Sequence, residues 1–225
     1  IRKTLTPQLR LDKGDSDLIL LDLGLGANRL GGSALAQVYN SIGNEVPDVH
    51  SSSDLKAFFG FIQECIEESL LLAYHDRSDG GLFVSLVEMA FAGRCGLDIS
   101  LDEASSKGHA LDSLFNEELG AVIQVSKDNL ERVRTLADEA GLLDICCTIG
   151  SPITDSLFRF SLGGEIVLEN TRAYFQQLWA QTSYQIQRLR DNSDCADEEF
   201  ATILEEDNPG LQSKLTYDPE ENISA

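Results

Sequence analysis

The chain has 225 residues, 42% of them hydrophobic and 7% aromatic, which is enough for one large core or one domain with an extension. Its formal net charge of −21 argues against a nucleic-acid surface or an anionic membrane as partner. No stretch approaches the roughly 20 apolar residues of a membrane span, and Ile1-Arg2-Lys3 begins no secretory signal. The five cysteines (Cys65, Cys95, Cys146, Cys147 and Cys195) show no CxxC spacing. They read as reduced thiols in a cytoplasmic compartment rather than as a zinc site, with Cys146-Cys147 buried in an apolar strand. Without an initiator Met, the chain reads as a piece of something longer or a processed product.

In chain order, Leu18 to Asp22 is predicted as a buried strand, because four apolar residues are bounded by Asp and Gly. It enters the Gly-rich loop Gly24 to Ser33, and Ser33 caps a helix over 34–41. A second helix starts near Ser53 or Asp54, with Leu55, Phe58, Phe59, Ile62, Cys65 and Ile66 at helical spacing. The apolar run Leu70 to Tyr74 is a strand, Leu82 to Ala92 a helix, and Gly96 to Leu101 an alternating strand. A short helix over 111–116 leads to a strand over 120–125, and Asp128 to Ala140 is an amphipathic helix ending at Gly141. Strands follow at 145–149, 157–162 and 165–168, the last two joined by the hairpin signal Gly163-Gly164. A long helix covers 171–190. The pattern is α/β, and its closing hairpin makes the sheet mixed. From Asp191 onward there are eleven Asp or Glu against the single Lys214. That tail reads as a solvated acidic extension without a core, with Phe200, Ile203, Leu204, Leu211, Leu215 and Tyr217 as scattered docking points.

The segment Tyr74-His75-Asp76-Arg77-Ser78-Asp79-Gly80-Gly81 carries the most chemistry. A strand delivers two carboxylates, a guanidinium and a hydroxyl into a turn, and a helix starts immediately after it. The free N–H groups and dipole of a helix start attract phosphate, and a nearby carboxylate can hold Mg²⁺. The same residues also suit a plain turn and cap. The Gly24 to Ser33 loop fits neither G-x-G-x-x-G, because Arg29 takes the third Gly position, nor a P-loop. Glycines for turn geometry and Ser33 as cap account for it equally. Glu117 and Glu118 can hold a metal or act as a base, but the simpler reading is a solvated strand entry. Arg188, Arg190 and Asp191 read as charges on an exposed helix end. No Ser-His-Asp or Cys-His arrangement is legible, so no catalytic residue is assigned.

Leu72 to Gly81, Glu88-Met89-Ala90-Phe91-Ala92-Gly93 and Leu114 to Val122 together resemble the large, single-chain phosphoribosylformylglycinamidine synthase family. Leu30-Gly31-Gly32-Ser33-Ala34-Leu35-Ala36-Gln37 and Arg188-Leu189-Arg190-Asp191-Asn192 fit the same family. The resemblance spans nearly the whole chain. It implies the C-terminal half of the second aminoimidazole-ribonucleotide-synthetase-like unit over residues 1–190, a three-layer α/β/α domain. Residues 191–225 would be the acidic linker toward a glutaminase domain that lies outside this chain. Partners are then the rest of the polypeptide and a nucleotide.

Carried over residue by residue, the resemblance makes Asp76 a Mg²⁺ ligand and Ser78 a nucleotide-phosphate contact, with Gly31, Gly32 and Ser33 as further nucleotide candidates. The cofactors implied are Mg²⁺ and ATP or ADP, and in large members one unit holds its nucleotide structurally. The reaction implied is ATP- and glutamine-dependent conversion of formylglycinamide ribonucleotide to the amidine. Alone, this chain is expected to lack synthetase and glutaminase activity. A non-catalytic nucleotide-binding module, or a relative on the same scaffold such as a selenophosphate synthetase or thiamine-phosphate kinase, are the competing readings.

Overall fold

β1 (Ser16–Asp22) is buried on both faces, which explains its uninterrupted apolar run. Leu18 and Leu20 point into one core, Ile19 and Leu21 into the other. The computed structural model describes residues 3–102, 104, 109–206 and 214–218. Among them, β1 is an inner strand of a mixed sheet with β2 (Leu71–Asp76), β3 (Gly96–Ser100), β4 (Gly120–Ser126), β5 (Cys146–Ile153), β6 (Leu157–Leu162) and β7 (Glu165–Thr171). The seven strands lie in the order β2-β4-β1-β5-β3-β6-β7. All neighbours run antiparallel except β3 and β6, which are parallel. The β6–β7 hairpin turns on Gly163 and Gly164, both at positive φ (61° and 79°), the signature of a two-residue primed turn.

Helices cover both faces. On one side α3 (Gly81–Gly93) and α4 (Ala110–Phe115) bring Leu82, Leu86, Met89 and Leu114 onto Leu18, Leu20, Val122, Leu97 and Ile99. On the other, α2 (Ser52–Glu67) and α5 (Leu130–Glu139) place Phe61, Ile62, Cys65, Val133 and Leu136 onto Ile19, Leu21, Ile123 and Val125. The domain is therefore a three-layer α/β/α sandwich with a mixed sheet. The second helical layer does not extend to the β3–β6–β7 end, where the outward face is a cross-strand ion ladder. There Arg159 lies 2.8 Å from Glu169 and 3.8 Å from Asp98. α1 (Ala34–Val38) is shorter than the helix predicted over 34–41, and Ser33 Oγ caps it by accepting from Ala36 N–H.

The chain divides into two compact units, residues 1–176 and 177–225. The division falls inside α6 (Arg172–Arg190), and the segment from Asp191, expected to have no core of its own, carries α7 (Ser193–Ala201). Asn192 caps α7 by accepting from Cys195 N–H, and Asp194 sits favourably in its first turn. Within the second unit Phe200 stacks on Tyr184 at 4.1 Å, and Asp197 takes both the Tyr184 hydroxyl and the Arg188 guanidinium at 2.7 Å. Two of the acidic residues here, Asp197 and Glu199, have partners on α6, a pattern that the charge count alone hides. Leu211 and the rest of 207–213, with 219–225, lie outside the described residues.

Cys65 and Cys95 are buried, Cys146 and Cys147 only half-buried on opposite faces of β5, and Cys195 exposed. Burial pushes the thiols of Cys65 and Cys146 up to about 12 and that of Cys95 up to about 11. At neutral pH an alkylating reagent is expected to modify Cys195 at least about tenfold faster than Cys65 or Cys95. Peptide mass spectrometry of the native protein checks this; equal rates would contradict the burial. Because these pKa values are raised in the folded state, their contribution to stability is complete below the ordinary thiol range. It is lost as pH rises through about 11 to 12.

Candidate functional site

Three segments meet at one end of the sheet: the turn after β2, the Gly-rich loop after β1, and Asn116-Glu117-Glu118 before β4. β2 ends at Asp76, whose carboxylate is exposed and accepts a hydrogen bond from the Tyr74 hydroxyl two residues back on the same face. Burial and the Asp76 carboxylate push the Tyr74 phenol well above its usual range, so it stays a donor. His75 lies on the other side, 3.2 Å from Glu88 of α3. Ser78 turns toward α3: its N–H donates to Ser85 Oγ at 3.2 Å, and the two hydroxyls are 3.5 Å apart.

α3 begins through Gly80 and Gly81, at φ 84° and 74°. Only glycine takes two such positions in succession without strain. Two of the donors at this helix start are already taken. Gly80 N–H donates to Glu117 Oε1 at 2.8 Å, and Gly81 N–H to the Ser78 carbonyl at 2.9 Å. An anion already sits at this helix start, and it is the chain's own carboxylate.

The donors of the Gly-rich loop are also paired within the chain. Gly31 N–H donates to the Glu45 carbonyl, Gly32 N–H to the Ile42 carbonyl, and Ser33 N–H to the Leu30 carbonyl. A Cβ on Gly31 would lie 2.3 Å from the Glu45 oxygen, so glycine here permits two backbones to approach. Ser33 is fully buried, donating to Leu30 O and accepting from Ala36 N–H. The backbone donors of Gly31, Gly32 and Ser33 are thus paired with the carbonyls of Glu45, Ile42 and Leu30.

Glu118 is not a solvated strand entry. It is fully buried and holds Arg29 bidentately, both N···O distances being 2.7 Å, while also accepting from Arg29 N–H. Arg29, the residue that breaks the dinucleotide fingerprint, is the partner that the buried acid requires. Arg77 is also buried. It reaches Asp22 Oδ1 at 2.5 Å and donates to the carbonyls of Glu118 and Leu119. Asp22 in turn accepts from Gly24 and Gly26 N–H. Asn116 donates to Asn28 Oδ1 at 3.1 Å and to the Asp112 carbonyl. These roles were invisible in the sequence; the nearest signal was two adjacent acids before an apolar strand.

Among the described residues no group of three or more His, Cys, Asp and Glu is placed to hold a metal. Asp76 by itself suits Mg²⁺, which commonly takes one or two protein carboxylates and completes its shell with phosphate oxygens and water. Nor is any helix among the described residues long and apolar enough to cross a membrane.

The family model described as AIR synthase related protein, C-terminal domain, matches residues 17–162, from β1 to the end of β6. The chain belongs to the AIR synthase related family. The matched region contains the turn, the loop and Asn116 to Glu118. Solved structures sharing the fold include Thermotoga maritima PurL complexed with ATP, at TM-score 0.60 and 14% identity, covering 76% of this chain and 27% of that one. The phosphoribosylformylglycinamidine synthase II of the same organism matches at 0.58 and 16%, over 75% and 26% of the two chains. T. maritima PurL complexed with FGAR matches at 0.57 and 15%, over 76% and 29%. The chain therefore spans about a quarter of the length of these structures, and the likeness is one of fold.

Proposed function

We propose that this AIR synthase related domain is part of a phosphoribosylformylglycinamidine synthase, a cytoplasmic, ATP- and glutamine-dependent ligase of de novo purine synthesis. Within it the domain contributes Asp76 and Ser78 to a Mg-nucleotide site. The observation that carries this reading is the turn itself: an exposed carboxylate at the end of β2, followed two residues later by a half-buried hydroxyl at the entrance to α3. The fold neighbours named for ATP and FGAR complexes support the same class.

Mg²⁺ bound there would neutralise phosphate charge. The chain's own part is to aim Asp76 through the Tyr74 hydroxyl and to offer the Ser78 hydroxyl to a phosphate oxygen. Gly31, Gly32 and Ser33 shape the neighbouring loop in this reading and do not touch the nucleotide. The ammonia that replaces the amide oxygen would come from a glutaminase elsewhere in the full-length protein.

In the full-length protein, Asp76→Asn should weaken Mg-nucleotide retention by about 10- to 100-fold, since it removes the charge from a hard-cation ligand while keeping its shape. Ser78→Ala should weaken it less, by one hydrogen bond to a charged partner, about 1 to 3 kcal/mol. Bound nucleotide, melting temperature and kcat are to be measured on the same preparations. A structural nucleotide predicts a lower melting temperature with kcat affected only indirectly, and a catalytic one a collapse of kcat at unchanged stability. Unchanged nucleotide content in Asp76→Asn would return the turn to a plain capping role.

A further inference from the structure

Each residue of Asn116-Glu117-Glu118 reaches the Gly-rich loop or the first residue of α1 by its side chain. Asn116 bonds Asn28, Glu117 accepts from Ala34 N–H at 2.8 Å, and Glu118 clamps Arg29. Two of the three also touch the turn: Glu117 Oε1 accepts from Gly80 N–H, and the Glu118 carbonyl accepts from Arg77. A single carboxylate oxygen thus receives one backbone donor from each of two segments 46 residues apart in sequence, Ala34 and Gly80, both at 2.8 Å.

We propose that Asn116-Glu117-Glu118 is a clasp that makes the Gly24 to Ser33 loop a positioning element of the nucleotide turn. Glu117 is the residue through which occupancy of the turn is transmitted to the loop and to α1. The inference rests on the Mg-nucleotide reading of the turn. Its physical basis is a competition for one donor. A phosphate that takes Gly80 N–H must displace Glu117 Oε1, because a single N–H aligns with one acceptor at a time. Glu117 keeps Ala34 as its other partner, so its displacement pulls on the first residue of α1. The differential contact that a ligand needs in order to shift a conformation is therefore present at Gly80. The loop responds without touching the ligand.

The test is hydrogen exchange of the full-length protein with and without Mg-ADP, in wild type, Glu117→Ala and Glu117→Gln. In wild type the nucleotide should change exchange in residues 27–38 as well as in 78–85. In ligand-free Glu117→Ala, peptides holding Ala34 and Gly80 should exchange about tenfold faster, as expected when a charge-assisted bond to each is lost. The nucleotide response should persist in 78–85 and vanish from 27–38. Glu117→Gln, whose amide oxygen accepts both donors, should restore the coupled response, which a loss of general stability would not do. The proposal is overturned if 27–38 responds equally in Glu117→Ala, if it stays silent in wild type while 78–85 responds, or if ligand-free exchange in Glu117→Ala matches wild type. If wild type shows no response in 78–85, the nucleotide reading has failed. The ligand-free comparison of the two variants then decides the clasp alone.

Discussion

Arg77→Met is expected to lower the unfolding free energy of the domain by about 3 to 5 kcal/mol, the usual consequence of removing one partner from a buried ion pair. The guanidinium is 1% exposed and bonds the Asp22 carboxylate at 2.5 Å and the carbonyls of Glu118 and Leu119 at 2.6 and 2.9 Å. Methionine fills much of the same volume but donates nothing. Three acceptors on two segments therefore lose a donor at once, and one of them is charged. Asp22 retains the Gly24 and Gly26 N–H groups, which stops the loss from becoming larger. Denaturant unfolding followed by circular dichroism measures the effect. The double variant Asp22→Asn/Arg77→Met should recover part of it, because the uncompensated charge is then gone. A loss below about 1 kcal/mol in the single variant would place Arg77 with surface pairs and contradict its burial.

Gly81→Ala is the second large effect. An alanine Cβ there would lie 2.5 Å from the Asn116 carbonyl oxygen and 2.8 Å from that of Leu114, and backbone cannot yield as a side chain can. The residue also sits at φ 74°, which costs an L-residue about 1 to 2 kcal/mol. Overpacking adds about 1 to 3 kcal/mol, for a total of about 2 to 5 kcal/mol. Gly141→Ala is the control. Its φ is 70° but nothing lies within 4 Å of the added Cβ, so it should show only the backbone part. If the two variants destabilise equally in the same unfolding experiment, the contact between the α3 start and Leu114 to Asn116 is not as tight as described. Because Asn116 adjoins the clasp, Gly81→Ala should also loosen Glu117 from Gly80.

Much of the architecture was legible because its causes are local. Alternation put Leu97 and Ile99 inward and Asp98 outward on β3, and an unbroken apolar run marked β1 as buried on both faces. Gly163-Gly164 announced its hairpin, and Ser33 its cap. The α7 helix was missed because eleven acids in the last 35 residues outweighed a local Asn cap and helix-forming run, so composition overrode pattern. Placing Asp76 and Ser78 at the end of a strand and the start of a helix also needed only local signals, since both elements are written in adjacent residues.

The sequence by itself determined most of the elements, the mixed sheet and the turn that carries Asp76 and Ser78. Tertiary structure alone decided which polar groups are paired and which donors are spent. Arg29 finds Glu118 across 89 positions, Ala34 finds Glu117 across 83, and Arg77 finds Asp22 across 55. Propensity, capping and periodicity act over a few residues, whereas burial of a charge is settled by whichever distant segment the sheet order brings beside it. β1 and β4 are sheet neighbours, with Asp22 opposite Gly120, and that pairing delivers Asn116-Glu117-Glu118 to the Gly-rich loop. Adjacent acids that read as solvent-facing therefore became a fully buried clamp and a shared backbone acceptor.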